Sequence, residues 1–331
     1  MTSLAICGLG NIGKVHLENL RSLRGCRVVG LFDRNRKELE RLSAGGGIRA
    51  YATAEEVFAD PDSHAVVVAT PSGSHREFVL RALDAGKHVF VEKPLAGTLA
   101  DAQAIVTAKS KSDRVVQAGF CERFNVNYME ARRAVLEGRL GHIRAIQSSR
   151  TAPYALSNPA WDLGVLDTAV HNFDLILWLM GQRPRSVLAR GVQVYPDSGI
   201  PHTVTTMLTF PDGAMATDQI SWVKDDLHPL HQCARSRLVV QGDGGVFEID
   251  LSSRPSSQLS PQGFRAMDTV LLGHPEYYGC LKLQFEFFLN SIESGAPVLA
   301  PVEDAFEVER VALAALDSLR SGREVQLDGI P

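Results

Sequence analysis

An aspartate and a histidine in the middle of the chain have the spacing of a proton-transfer pair. Asp167 and His171 are four residues apart in a largely apolar segment that predicts a helix over 166–180. Side chains at this spacing lie on one face of a helix and can hydrogen-bond to each other. A carboxylate in that position fixes the imidazole tautomer and stabilises its protonated form. The pair can therefore act as a general acid and base, although a purely structural pair has the same spacing.

A second group of residues has the spacing of a phosphate-binding loop. The segment Gly8-Leu9-Gly10-Asn11-Ile12-Gly13 follows a strand predicted over 4–7 and leads into a predicted helix. Gly8 permits a tight turn, Gly10 lets the backbone approach a pyrophosphate, and Gly13 allows the helix to pack closely on the strand. The N terminus of such a helix offers N–H groups and a partial positive charge to phosphate. We assign the segment to dinucleotide binding, while noting that other α/β proteins use glycine-rich turns for other ligands.

A carboxylate after the second predicted strand indicates which dinucleotide binds. Asp33 ends the strand predicted over 28–33, where its side chain can accept both ribose hydroxyls of the adenosine. A 2′-phosphate there would meet a like charge, at a cost of about 4 kcal/mol per unit charge at ~4 Å and an effective dielectric constant of ~20. The adjacent Arg34 weakens this preference, since a guanidinium can stack on adenine or pair with a 2′-phosphate. The pattern favours NAD and leaves NADP open.

The remaining sequence divides into two regions with different patterns. Over residues 4–120, short apolar runs alternate with amphipathic stretches, as in βαβ units around a parallel sheet. Beyond this region, helices and alternating strands follow, with Pro211-Asp212-Gly213 as the turn of a hairpin. We expect an α/β Rossmann domain over 1–121, followed by an α+β domain over 122–331 with a large, mainly antiparallel sheet.

The apolar periodicity predicts eight helices and one surface loop. The predicted helices cover 13–24, 35–44, 74–85, 98–111, 126–137, 166–180, 275–294 and 302–320. The segment Ser-Ser-Arg-Pro-Ser-Ser at 252–257 is predicted to be a loop at the surface.

The composition is that of a globular protein and argues against several classes of partner. The chain of 331 residues is long enough for two domains, is 45% hydrophobic and 22% charged, and has a formal net charge of -4. This mild acidity and the lack of a basic block disfavour nucleic acid as a partner. The five cysteines are scattered without metal-like spacing and are expected to be reduced. We expect no targeting segment and no membrane span, since no apolar run reaches the ~20 residues that cross a bilayer, and we expect a cytoplasmic protein.

Two further motifs lie at the ends of predicted strands. Glu92-Lys93-Pro94 follows the fifth strand, and Thr70-Pro71-Ser72-Gly73-Ser74-His75 follows the fourth. With the Asp167-x-x-x-His171 pattern and Pro301-Val302-Glu303-Asp304-Ala305, they make nearly the whole chain resemble the Gfo/Idh/MocA family of oxidoreductases. The resemblance implies a two-domain fold, a pyridine nucleotide, and a sugar-like or cyclitol substrate bound between the domains. By analogy with the family we also expect a homodimer or homotetramer.

The same resemblance implies roles for individual residues. Lys93 is expected near the nicotinamide and the reacting hydroxyl, a position that agrees with ligand binding beyond the carboxyl ends of strands. A lysine at a strand end is otherwise usually a solvated surface residue. His171 takes the position of the general acid and base, with Asp167 orienting it. Cofactor contacts are expected from residues of the two strand-end motifs, namely Thr70, Pro71, His75, Glu92 and Lys93.

Several other residues are weaker candidates. Glu122-Arg123-Phe124-Asn125 resembles a signature of relatives that act on nucleotide-linked sugars, which makes Arg123 and Asn125 candidates for substrate binding. Arg123 can equally form an interdomain salt bridge, Asp174 can be a cap or an interdomain partner, and His16 is interpreted as core packing. Candidates for the wall of the cleft, each with a structural alternative, are Trp161, His228, His231, Tyr277 and Tyr278. No His, Asp and Glu cluster has metal-ligand spacing, and hydride transfer to nicotinamide needs no metal.

Together these features predict an NAD(P)-dependent enzyme that interconverts a secondary alcohol and a ketone on a cyclitol or sugar. In this hypothesis His171 removes the hydroxyl proton, Lys93 stabilises the partial alkoxide, and the ring carbon passes a hydride to the nicotinamide. Two alternatives remain open. One is a dehydrogenase of a nucleotide-activated sugar, and the other is a non-catalytic NAD-binding regulator on the same fold.

Overall fold

The chain divides by its internal contacts into two compact units. The computed structural model describes residues 1–44, 47–153, 164, 166–194, 201–223, 235–251, 256–260, 263–267 and 279–327. Unit 1 consists of residues 1–124 and 270–306, and unit 2 consists of residues 125–269 and 307–331. Within the described residues, no helix combines the length and the hydropathy needed to cross a membrane.

Unit 1 contains a six-stranded sheet in which all neighbouring strands are parallel. Its strands are β1 (Thr2–Cys7), β2 (Cys26–Phe32), β3 (Arg49–Ala50), β4 (Ala65–Val68), β5 (His88–Val91) and β6 (Val116–Ala118). The spatial order β3-β2-β1-β4-β5-β6 is that of a doubly wound dinucleotide-binding fold. Every residue of β1 and β4 is buried, as expected of strands covered on both faces. The predicted Rossmann domain is therefore confirmed.

Five helices of unit 1 connect these strands: α1 (Asn11–Ser22), α2 (Arg36–Ser43), α3 (Ala54–Ala59), α4 (His75–Asp84) and α5 (Leu99–Ser110). The side chains of Asn35, Thr53 and Thr98 accept hydrogen bonds from first-turn N–H groups and so begin α2, α3 and α5. Helix α3 was not predicted, because six residues are too few to show a helical period.

Unit 2 contains a seven-stranded sheet. Its strands are β7 (Ile143–Pro153), β8 (Ser186–Val192), β9 (Thr203–Thr209), β10 (Met215–Val223), β11 (Arg235–Gly242), β12 (Val246–Asp250) and β15 (Val325–Gln326), in the order β12-β11-β7-β10-β9-β8-β15. Only the pair β7 and β10 is parallel among these neighbours, so the sheet is mainly antiparallel, as predicted. The turn at 211–213 joins β9 to β10, and Gly213 has a φ of 83° there.

A separate two-stranded sheet corrects one prediction. The strands β13 (Ser256–Ser260) and β14 (Gly263–Met267) pair antiparallel to each other. The segment 252–257 was predicted to be a surface loop, but residues 256 and 257 belong to β13, and residues 252–255 lie outside the described residues. A run of serines has no hydrophobic alternation, so strand pairing here is not visible in the sequence.

Four more helices complete the described chain: α6 (Val126–Leu136), α7 (Leu166–Met180), α8 (Cys280–Ser294) and α9 (Val302–Ser321). The structure differs from the expected domain boundaries in that α8 packs in unit 1. Phe285 and Phe288 of α8 belong to the same buried cluster as Leu20 of α1 and Phe90 of β5. The first boundary also falls after Phe124 and not after residue 121. Helix α8 belongs to unit 1 because its apolar face completes a hydrophobic core that the first 124 residues leave open.

Candidate active site

The carboxyl ends of four strands in unit 1 lie level with one another. Cys7 of β1 pairs with Phe32 of β2 and with Val68 of β4, and Val68 in turn pairs with Val91 of β5. The residues predicted to bind the cofactor leave the sheet directly after these positions. The structure therefore brings the glycine loop, Asp33, Thr70 and Lys93 to one edge of the sheet, where open α/β sheets bind ligands.

The three loop glycines meet different surroundings. Gly8 has a φ of 96°, and a Cβ on it would overlap the carbonyl oxygen of Ala69. A Cβ on Gly13 would overlap the carbonyl oxygen of Gly8. A Cβ on Gly10 would have no heavy atom within 4 Å. Gly8 and Gly13 are thus required by the fold itself, whereas the space at Gly10 is available to a ligand.

The N terminus of α1 fits the pyrophosphate of a dinucleotide. The helix begins at Asn11, two residues earlier than predicted, and its first turn contains no acidic residue. Its N-cap residue, Gly10, has no side chain that can accept the first-turn N–H groups. These N–H groups and the helix dipole can therefore hold phosphate oxygens, with Asn11 exposed and Ile12 half-buried beside them.

Asp33 is fixed at the end of β2 by two backbone N–H groups. Its Oδ2 accepts from Leu9 of the glycine loop at 2.6 Å, and its Oδ1 accepts from Asn35 at 2.6 Å. Each carboxylate oxygen has further acceptor capacity for a ribose hydroxyl. Arg34 beside it is exposed. This arrangement fits the adenosine ribose of NAD.

His75 connects the loops that follow β4 and β5. One ring nitrogen lies 2.7 Å from the carbonyl oxygen of Thr70, and the other lies 3.0 Å from that of Pro94. Burial lowers the pKa of His75, which favours the neutral ring. The peptide bond between Lys93 and Pro94 is cis. Because both ring nitrogens face backbone carbonyls, this geometry favours a supporting role for His75 over direct contact with the cofactor.

Glu92 is buried beneath Lys93 and has a partner that the sequence analysis did not find. Its Oε1 lies 2.7 Å from Nε2 of His16, and its Oε2 accepts the backbone N–H of Lys93 at 3.0 Å. The His16 ring packs edge-on against Phe90 and Phe285, so the predicted packing role is incomplete, because the ring also reaches Glu92. His16 and Glu92 are 76 positions apart in the sequence, and no local pattern connects them.

The predicted proton-transfer pair lies on α7 of unit 2. Asp167 is in the first turn of the helix, where its negative charge suits the helix dipole, and its N–H donates to the Gly164 carbonyl at 3.1 Å. Asp167 is 2% exposed, whereas His171, one turn later, is half-buried. Asp174 is 0% exposed, as expected of a structural residue. The pair thus combines a buried carboxylate with a more accessible imidazole.

A buried polar network anchors α7 to the sheet of unit 2. Nε of Arg150 on β7 donates to Oδ1 of Asn172 at 2.9 Å, and Nδ2 of Asn172 donates to Oδ1 of Asp218 on β10 at 2.7 Å. Burial raises the pKa of Asp218 to about 7, against the lowering effects of hydrogen bonds from Asn172 and Ser148 and of the Arg150 charge. This network was not predicted from the sequence. The signal for it was Asp218, which alternates with the apolar residues Ala216 and Ile220 and therefore lies on the buried face of the strand.

Arg123 and Asn125, predicted as substrate-binding candidates, are both engaged in structural contacts. Nη1 of Arg123 donates to the Leu299 carbonyl at 2.8 Å and to Oδ2 of Asp304 at 2.7 Å, all within unit 1. Oδ1 of Asn125 accepts the Asn127 N–H at 3.0 Å and caps α6. These contacts favour structural roles for both residues. Trp161, His228, His231, Tyr277 and Tyr278 lie outside the described residues.

These features define the class of the protein before any comparison. The strand order, the open space at Gly10, the N terminus of α1 and the fixed Asp33 form a dinucleotide site, and Lys93 stands at the same sheet edge. Among the described residues, no group of three His, Cys, Asp or Glu side chains could hold a metal ion. The class is that of oxidoreductases that use a nicotinamide dinucleotide.

Comparison with known families agrees with this class. Residues 2–120 match the model described as "Oxidoreductase family, NAD-binding Rossmann fold", and residues 128–248 match the "GFO/IDH/MocA C-terminal domain". The chain belongs to the Gfo/Idh/MocA family and is an NAD-dependent oxidoreductase.

Individual relatives align over nearly their whole length. The chain is 28% identical to "Myo-inositol 2-dehydrogenase" of Thermotoga maritima, covering 99% of both chains. It is 26% identical to "scyllo-inositol 2-dehydrogenase (NAD(+))" of Bacillus subtilis, covering 98% of this chain and 96% of the relative. The solved scyllo-inositol dehydrogenase of Lactobacillus casei, with bound NAD(H) and scyllo-inositol, shares the fold with a TM-score of 0.84 at 24% identity, covering 98% of this chain and 99% of that one.

Proposed function

We propose that this protein is a dehydrogenase that oxidises a secondary alcohol of a cyclitol ring, with NAD as the hydride acceptor. The observation that carries the proposal is Lys93 at the carboxyl edge of the unit 1 sheet, the same edge as the glycine loop, with its backbone N–H held by Glu92. The choice of a cyclitol over other polyhydroxylated rings rests on full-length relatives that are named inositol dehydrogenases.

In the proposed reaction, His171 takes the proton of the reacting hydroxyl. Asp167 orients the imidazole and stabilises its positive charge as the proton arrives. The Lys93 ammonium donates a hydrogen bond to the same oxygen, where it stabilises the developing negative charge. Bound NAD supplies the acceptor for the hydride that leaves the ring carbon. In the reverse direction, His171 returns the proton to the oxygen of the ketone.

The assignment predicts that Lys93→Ala and His171→Ala each lower kcat by about 10²–10⁴-fold, because each loses a group that acts on the reacting oxygen. The measurement is NADH absorbance with myo-inositol and scyllo-inositol. NAD affinity should stay close to that of the wild type in His171→Ala. Asp317→Asn, exposed on α9, serves as a control. If both alanine variants kept kcat within a few-fold of the wild type, the catalytic roles assigned to His171 and Lys93 would be wrong.

The same assay over a wider panel separates the alternatives. Hexoses and UDP-sugars are added to the two inositols. The nucleotide-sugar alternative rested mainly on the segment Glu122-Arg123-Phe124-Asn125. In this segment Arg123 is 1% exposed and bound to Asp304, and Asn125 caps α6, so we expect UDP-sugars to be poor substrates. Tight NAD binding without turnover of any compound would favour a regulator. Light scattering tests the proposed homodimer or homotetramer.

A further inference from the structure

A histidine at the centre of an aromatic cluster requires a physical explanation. His16 is 0% exposed, and its ring centroid lies 5.4 Å from that of Phe90 and 4.9 Å from that of Phe285. Desolvating a polar ring costs free energy that an apolar side chain of similar size would not lose. Packing alone therefore favours phenylalanine or leucine at this position.

The one polar contact described for His16 is with Glu92. Nε2 of His16 lies 2.7 Å from Oε1 of Glu92. Nδ1 of His16 has no hydrogen-bond partner among the described residues. A carboxylate accepts hydrogen bonds, so Nε2 bears the proton that Glu92 receives. The ring thus contributes one N–H donor, and that donor is directed at Glu92.

The absence of a side chain at Gly119 provides the space that the Glu92 carboxylate occupies. A Cβ on Gly119 would lie only 2.9 Å from Cδ of Glu92, so a larger residue at that position would displace the side chain. Glu92 is 6% exposed, and its second oxygen accepts the Lys93 N–H at 3.0 Å. The carboxylate therefore holds the main chain from which the Lys93 side chain extends.

We propose that His16 is a positioning residue for Lys93. Its Nε2–H holds Glu92 in the rotamer in which Oε2 accepts the Lys93 N–H. His16 also lies on α1, the helix whose N terminus can hold the phosphates of a dinucleotide. The contact between His16 and Glu92 thereby fixes the position of Lys93 relative to α1. A displacement of about 1 Å of a catalytic group can lower the rate by about 10²-fold. This inference rests on the function proposed for Lys93.

Two substitutions of His16 separate positioning from packing. His16→Phe keeps an aromatic ring in the cluster and removes the donor, whereas His16→Gln restores an amide N–H that can reach Glu92. For His16→Phe we expect kcat with the inositol that the wild type oxidises to fall about 10–100-fold. The NAD dissociation constant should stay within about threefold, since ground-state binding is not altered. His16→Gln should recover most of kcat.

A purely structural role would give the opposite order. His16→Phe would then be as active as the wild type, and His16→Gln would be the less stable and less active variant. That result would overturn the proposal, as would equal losses of kcat in the two variants. The deuterium isotope effect on kcat, measured with substrate labelled at the reacting carbon, should rise in His16→Phe, because a misplaced Lys93 slows the hydride step.

A readout independent of turnover keeps the test decisive. In protein labelled with ¹⁵N-lysine, the Lys93 amide proton, assigned with Lys93→Arg, should shift upfield in His16→Phe and return in His16→Gln. An unchanged amide shift in His16→Phe would refute the contact even if the wild type oxidised no inositol. Should His16→Phe fail to fold, His16→Leu replaces it, because leucine also lacks the donor, and the same losses are expected. Failure of the proposed function is recognised separately, by a wild type that oxidises no alcohol of the panel.

Discussion

Asp218 is a residue whose ionisation the fold changes strongly. It is 1% exposed on β10, and burial raises its pKa from the ordinary value of 3.8 to about 7. Between these two values the folded protein binds a proton that the unfolded chain has released. The contribution of Asp218 to stability is therefore fully present at low pH, below the unfolded pKa, and is lost as the pH rises through about 7.

This sign leads to a prediction for Asp218→Asn. Between about pH 5 and pH 8, the free energy of unfolding of the wild type should fall relative to that of the variant by on the order of 2 kcal/mol, because only the wild type buries a charge at the higher pH. Urea unfolding at several pH values measures the difference. Asp317→Asn, exposed on α9, is the matched control and should keep the wild-type slope. Identical slopes in Asp218→Asn and wild type would contradict the prediction.

At the scale of elements, we expect two glycines between β1 and α1 to be required for different reasons, one for folding and one for ligand binding. Gly13 is needed for the fold, because a Cβ there would overlap the Gly8 carbonyl. Gly10 has a φ of -66°, which suits any residue, and a Cβ there would meet open space. We therefore propose that the ligand accounts for this glycine, since a pyrophosphate must approach the backbone closely.

Two alanine variants test this separation. Gly13→Ala should lose about 1–3 kcal/mol of unfolding free energy, as overpacked sites do. Gly10→Ala should unfold like the wild type without NAD, yet bind NAD about tenfold more weakly, a loss of about 1.4 kcal/mol. Urea unfolding and an NAD fluorescence titration provide the two measurements. If Gly10→Ala bound NAD with wild-type affinity, the pyrophosphate would not lie against the backbone at residue 10.

At the scale of the whole molecule, the dinucleotide-binding unit is assembled from two distant parts of the chain. Phe285 of α8 is fully buried, and its ring centroid lies 4.5 Å from that of Phe90 on β5. Gln117 on β6 donates to the Gln284 carbonyl at 2.9 Å, so α8 is also hydrogen-bonded to the sheet. Unit 1 therefore requires residues that follow most of unit 2 in sequence.

Consequently, Phe285→Ala should destabilise the cofactor-binding unit by about 3–5 kcal/mol. NAD at a hundredfold excess over its dissociation constant should restore about 2.7 kcal/mol, because it binds only the folded unit. Thermal and urea unfolding with and without NAD measure both effects. Asn290→Ala, exposed on the same helix, is the control. Wild-type stability in Phe285→Ala would mean that α8 contributes little to this unit.

The sequence by itself determined those parts of the protein that depend on neighbouring residues. The strand and helix pattern up to β6 apart from α3, the glycine loop and the position of Asp33 follow from local periodicity and from spacing within one βαβ unit. The helical pair of Asp167 and His171 is local in the same sense. These features could be predicted because the interactions that form them lie within one turn of a helix or within one βαβ unit.

The tertiary structure decided the contacts between residues that no local pattern connects. The pairing of His16 with Glu92, of Arg123 with Asp304, and the packing of α8 on β5 join positions separated by up to about two hundred residues. Side chains of this kind meet only when the chain folds, and burial then sets their energies. For that reason the sequence indicated only packing for His16, and left Arg123 open between a substrate ligand and an interdomain salt bridge, whereas the fold shows the partner of each residue.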